Sequence, residues 1–138
     1  MRIRLTSNLY LDEYFPKNFY EKYQNKLHRL QHILPAQLVK ADQMLRDKFG
    51  AVTINNWWHD GDRNWSGLRI PESSYFSETS QHSYCNASDK IFTHATAEEV
   101  RQYIKSDYER LGITCIEDNV SWVHSDIRNY NGLLIVKP

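Results

Sequence analysis

Apolar positions along the chain change period twice, and the changes divide it. Phe19, Tyr23, Leu27, Leu30 and Ile33 recur at the spacing of one helix face and predict a helix over residues 17–33. Pro35 suits the first turn of a second helix running to Phe49, with Leu38, Ala41, Met44, Leu45 and Phe49 as its apolar stripe and Gly50 as its stop. Residues 51–55, Ala-Val-Thr-Ile-Asn, read as a buried strand. Residues 57–80 hold no sustained period, and a long irregular segment inside a compact domain is more often functional than idle. Thr96-Ala97-Glu98-Glu99 is a capping box that opens a helix to Leu111, stopped by Gly112. The apolar segments 113–116, 122–127 and 133–136 follow, separated by Asp118-Asn119 and Asn129-Tyr130-Asn131-Gly132. These separators are turn residues, and they predict an antiparallel meander. Helices first and strands last give an α+β class, a small antiparallel sheet flanked by helices.

At 138 residues the chain is one domain, with a helical part over 1–50 and a second part over 51–138. The 17 basic and 17 acidic residues cancel, so no electrostatic argument favours nucleic acid or an anionic membrane as a partner. No stretch reaches the length of a membrane span, and residues 1–7 lack the apolar run of an export signal, which predicts a protein that stays where it is made. Cys85 and Cys115 allow one disulfide at most and no framework. Aromatic residues make up 13% of the chain, which suits either an aromatic core or a groove for an extended ligand.

The candidate chemistry lies in Ser80-Gln81-His82-Ser83-Tyr84-Cys85-Asn86-Ala87-Ser88-Asp89 and in Trp122-Val123-His124-Ser125-Asp126. His82, Asp89 and His124 are ligand types that hold a catalytic zinc and leave a fourth position open for water. Trp122, His124 and Asp126 share one face of a strand. On residue types and spacing alone, ordinary polar residues remain the commoner explanation.

Ser80, His82, Ala87 and Asp89 also match the Ser-x-His-x-x-Gly-x-Ala-x-Asp signature of the zinc D-Ala-D-Ala carboxypeptidases and related cell-wall peptidases, a group akin to the hedgehog signalling domain. Trp122 to Arg128 resembles that family's second motif, Trp-Val-His-x-Asp-x-Arg. Ser66-Gly67-Leu68-Arg69 resembles the upstream segment that contributes an arginine, and together with Ile54-Asn55-Asn56-Trp57 it is similar to a phage-associated branch. The resemblance covers roughly residues 50 to 137. It implies zinc held by His82, Asp89 and His124, activated water, and peptidoglycan stem peptides as substrate. Arg69 would hold the substrate carboxylate or the oxyanion. It further implies a phage lysis or virion protein that reaches the cell wall by a route other than its own signal.

Two departures from the family pattern bear on the chemistry. The family glycine is Cys85 here, where a side chain is either tolerated or distorts the loop, and where a thiolate would close the site as a fourth ligand. The acid that many members carry three residues before the last histidine is Ser121, so the general base falls to Glu117 or, as the alternative, Asp126. Ser80 is a candidate for steadying the motif turn or contacting substrate, and His59 for lining the cleft. His28 and His32, four apart on a helix, read as a solvated polar face because Arg29 replaces the glutamate of a helical zinc motif. A second reading of the whole chain is a metal-stabilised binding or structural domain of a phage particle without catalysis.

Overall fold

The computed structural model, which describes residues 2–138, contains four helices and one five-stranded sheet. The helices are α1 (Lys17–Lys22), α2 (His28–Ile33), α3 (Ala36–Phe49) and α4 (Ala97–Leu111). The strands are β1 (Val52–Thr53), β2 (Ala87–Phe92), β3 (Cys115–Glu117), β4 (Val123–Asp126) and β5 (Leu134–Val136). The mixed helix-and-strand class agrees with the sequence. The single helix expected over 17–33 does not form: the chain leaves the helix after Lys22 and resumes it at His28, with Leu27 and Leu30 buried and Ile33 exposed.

The sheet corrects the antiparallel expectation. Its order is β1-β2-β4-β3-β5, and β5 runs parallel to β3. The reason is topological. Strand β4 has β3 on one edge and β2 on the other, so no edge remains for a following hairpin. A chain that reverses after β4 can then pair only beyond β3, and a strand antiparallel to β4 is necessarily parallel to β3. Thr114 fastens this crossing: its hydroxyl donates to the Arg128 carbonyl at 2.6 Å, and its own carbonyl accepts from Leu134 N at 2.8 Å.

Helix ends follow local chemistry. The Thr96 hydroxyl accepts from Glu99 N at 3.1 Å, and Gly112 closes α4 in the left-handed region at φ 74°. Leu38 and Val39 of α3 belong to one apolar cluster with Leu11, Tyr14, Phe15, Leu30, Ile54 and Trp57. Ala41 and Leu45 belong to a second, with Phe92, Val100, Ile104, Leu111, Ile116 and Val123. One helix therefore ties the first third of the chain to the sheet.

Beneath that helix, Lys90 and Asp42 are fully buried and meet at 3.1 Å, off the direction of a well-formed hydrogen bond. The ammonium also donates to the Ser88 carbonyl at 3.0 Å and the Ser125 hydroxyl at 2.6 Å. The carboxylate accepts from Tyr14 at 2.9 Å and Ser88 at 2.8 Å. This network connects the 3-10 turn Leu11–Tyr14, α3, β2 and β4. Removing one member of a buried pair strands the other charge, which costs about 3–5 kcal/mol. Lys90→Met is therefore expected to lower the unfolding free energy by about that amount in urea titration, and Lys90→Met/Asp42→Leu by distinctly less. Equal losses would show that the charge pairing is not what the network contributes.

Candidate metal centre

Register explains why distant residues meet. In the β2–β4 ladder Asp89 lies directly opposite His124, and extending the β3–β4 register by one step sets Glu117 opposite His124 on its other side. His82 arrives from the 3-10 turn Gln81–Tyr84, whose first turn is capped by Ser80: its hydroxyl accepts from His82 N at 3.2 Å. The segment 66–69 braces the first motif at both ends. Asp89 N donates to the Ser66 carbonyl at 2.7 Å, and Arg69 N to the His82 carbonyl at 3.0 Å. Gly67 is required here, because a Cβ would strike the Tyr14 backbone. Close contact is needed for Leu68 N to donate to Tyr14 O at 2.8 Å.

The three expected ligands do converge. His82 Nε2 lies 3.2 Å and His124 Nδ1 lies 2.9 Å from the same Asp89 oxygen, Oδ1. Ligand atoms of all three residues fall within 4.8 Å of one another, and all three residues are buried. Tetrahedral coordination with bonds near 2.05 Å needs ligand separations of roughly 3.3 Å. The two contacts to Asp89 are already near that value, and the three groups could hold a metal ion.

The outer contacts point the rings correctly. A carbonyl can only accept, so the 2.8 Å contact between His82 Nδ1 and Gly67 O keeps a proton on Nδ1 and makes Nε2, which faces Asp89, the nitrogen available to a metal. On His124 the roles are reversed: Nε2 donates to Asp126 Oδ2 at 2.7 Å and Nδ1 faces Asp89. Asp126 is fully buried and also receives Arg128 Nε at 2.8 Å and Nη2 at 2.7 Å. Burial alone would raise its pKa, but Arg128 and His124 outweigh that and bring it down to about 2. Asp126 thus sits behind the His124 ring with both oxygens engaged. It holds the His124 ring from behind and is not among the residues that line the cleft, where Glu117 stands.

Glu117 is placed differently. Its Oε2 lies 3.9 Å from His124 Nδ1, and the residue lines a cleft of about 460 Å³ together with His82, Asp89, Arg63, Arg69, Tyr75 and Trp122. Ser121 is exposed on another surface near the start of α4. Arg69 is at the cleft, but its Nη2 donates to Asp89 Oδ2 at 2.9 Å and its Nε to the Trp65 carbonyl at 2.8 Å. Its charge is spent on orienting Asp89.

Two other expected contacts are displaced. His59 is exposed, outside the cleft, with Nε2 3.3 Å from Arg2 Nη1, because the irregular segment turns back toward the N-terminus at the 3-10 turn Trp57–His59. Ser80 caps the motif turn and does not line the cleft. His28 and His32 are exposed, with ring centroids 5.8 Å apart. Cys85 adopts φ 61°, the left-handed conformation that favours glycine, so the loop keeps its path at a cost of roughly 1–2 kcal/mol. Its thiol is buried in the apolar cluster, pushed up to about 12 by desolvation, and is not among the converging groups. Cys85 and Cys115 are unpaired. Neither Arg63 nor the pair Asp42 and Lys90 stands out from the sequence; a charged residue within the apolar period of α3 was the available sign for Asp42.

Comparison with protein-family models, curated proteins and solved structures returned no match.

The electrostatics make metal binding pH-dependent. Burial lowers the His124 pKa, but hydrogen bonds to Asp126 and Asp89 outweigh it and raise it to about 9. Asp89 is also buried, yet its bonds from His124 and His82 hold it well below the usual carboxylate range. In the metal-free protein a proton on His124 Nδ1 occupies the line to Asp89 that a cation would take, so binding releases it. Calorimetric titration with zinc is expected to show affinity rising about tenfold per pH unit up to pH 9 and levelling above it. The sign for stability without metal is opposite. The raised His124 contributes fully below its unfolded value of about 6.5 and loses that contribution as pH rises through 9. The depressed Asp89 contributes above about pH 4 and loses that contribution on acidification. Melting of the metal-free protein should therefore be highest between about pH 4 and 6.5.

Proposed function

We propose that the chain is a zinc-dependent peptidase that hydrolyses peptide stems of bacterial peptidoglycan, as a D-Ala-D-Ala carboxypeptidase or an endopeptidase. The observation that carries this reading is the convergence of His82 Nε2, Asp89 Oδ1 and His124 Nδ1 beside a cleft that also holds the Glu117 carboxylate. Two nitrogens and one carboxylate oxygen form a donor set suited to zinc, and three protein ligands leave room for a fourth. Zinc bound there would supply a Lewis acid and a water acidic enough to ionise near neutrality.

The chain's own residues account for the rest. Glu117, 3.9 Å from His124 and open to the cleft, is the group that takes a proton from the attacking water and delivers it to the leaving amine. The hydroxyl adds to the scissile carbonyl carbon, the C–N bond breaks, and the products are a carboxylate and an amine. Arg69 keeps the second oxygen of Asp89 occupied, so that the carboxylate presents Oδ1 inward. Gly67 and Asp126 hold the two imidazoles by their outer nitrogens. The motif resemblance supports peptidoglycan as the polymer from which the peptide comes.

The competing reading, a metal-stabilised binding domain, is separated by substitution. Glu117→Gln is expected to keep one zinc per chain and to lose about 10²–10⁴-fold in the rate of muropeptide cleavage, followed by chromatography. Asp126→Asn should instead weaken zinc affinity about 10–100-fold, with cleavage restored by excess metal. A wild-type protein that binds one zinc and releases nothing from purified cell walls would favour the binding domain.

A further inference from the structure

Arg63 stands in the cleft beside the candidate centre. Its Nε donates to the Ile54 carbonyl at 2.8 Å and its Nη2 reaches the Asp89 carbonyl at 3.4 Å. Its backbone is pinned as well: Arg63 N donates to Asn56 Oδ1 at 2.8 Å, and Asn56 N returns to Arg63 O at 3.1 Å. The side chain therefore leaves an anchored loop and passes along the backbone of a ligand. A guanidinium carries five N–H donors, and these contacts use two. Among the described residues Arg63 forms no ion pair, although it is half-buried. Asp89, whose carboxylate is close enough to favour the charged form, is already committed to Arg69 and two imidazoles. Asp62, on the same cleft wall, is exposed and unpaired with it. Burial of a cation without a bound anion is unfavourable.

We propose that Arg63 is the anion anchor of the cleft, and that it takes the free C-terminal carboxylate of a peptide whose last bond lies at the metal centre. This rests on the peptidase reading and narrows it to removal of a terminal residue. The geometry favours that class because Arg63 touches Asp89 itself. In a terminal residue only three bonds, a path of roughly 4.3 Å, separate the scissile carbonyl carbon from the carboxylate carbon. A terminal carboxylate is thus in reach when its amide is at the centre. An internal bond would bring a neutral carbonyl to the same place and leave the guanidinium unsatisfied, a form of selection by mismatch. Arg69 does not compete for the role, since Asp89 neutralises it. Arg63 is thus a specificity residue.

The test uses a stem peptide ending in D-Ala-D-Ala with a free carboxylate, and the same peptide as its C-terminal amide. Binding to the zinc-loaded protein is followed by tryptophan fluorescence, since Trp65 and Trp122 line the cleft. The wild type should bind the acid at least about tenfold more tightly than the amide, the value of one charge-assisted hydrogen bond. Arg63→Gln should erase that preference while leaving zinc stoichiometry unchanged. Arg63→Lys, which keeps the charge and loses the fork, should retain part of it and serves as the second variant where the glutamine form does not fold. A preference that survives in Arg63→Gln overturns the proposal. So does equal binding of acid and amide by the wild type, or binding of neither. Cleavage separates the two readings. An amide hydrolysed as fast as the acid defeats the anchor and leaves the peptidase standing. An acid bound in an Arg63-dependent manner but never cut defeats the peptidase and leaves the anchor.

Discussion

Asp89 and Lys90 are consecutive residues of one strand, so their side chains leave on opposite faces of the sheet. Lys90 goes into the core and meets Asp42 of α3 with no access to water. Asp89 goes to the cleft and gathers His82, His124 and Arg69 around its two oxygens. The buried pair is thus the constraint on which the rest depends. A one-residue slip of β2 would carry the ammonium to the cleft and the Asp89 carboxylate into an apolar core, and both moves leave an uncompensated charge. The register of the ladder, and with it the juxtaposition of Asp89 and His124, is protected by electrostatics as well as by packing.

The first third of the chain takes on meaning from the same network. Tyr14 donates to Asp42 through its hydroxyl, while its backbone carbonyl receives Leu68 next to Gly67, whose own carbonyl orients His82. Phe15 accepts from both Asn55 and Trp57 through its carbonyl. Residues that carry no ligand thereby set the height and tilt of the segment that does. This is the supporting shell that a site of three short contacts requires, since an imidazole held at one nitrogen by a fixed acceptor has a defined direction at the other.

How much of this was legible in the sequence depended on how local the cause was. The α3 and α4 boundaries were readable because Pro35, Gly50, Thr96 and Gly112 act within a turn of their own positions. His82, Asp89 and His124 were readable because one motif and one strand carry them. The break at residues 23–27 was not, since a helical apolar spacing is satisfied equally by two short helices with a turn between. Nor was the direction of β5, which is decided by the occupation of both edges of β4 by other parts of the chain. Asp126 shows the same limit within the site: its face was predictable, but its role turned on Arg128 closing over it from behind.

Because α3 contributes Leu38 and Val39 to one apolar cluster and Ala41 and Leu45 to the other, neither cluster can loosen without disturbing the helix they share. Partial opening that freed the cleft while keeping the helical third intact would have to shear a helix of 14 residues along its own axis. The amides in the middle of α3 are therefore shielded by both clusters at once.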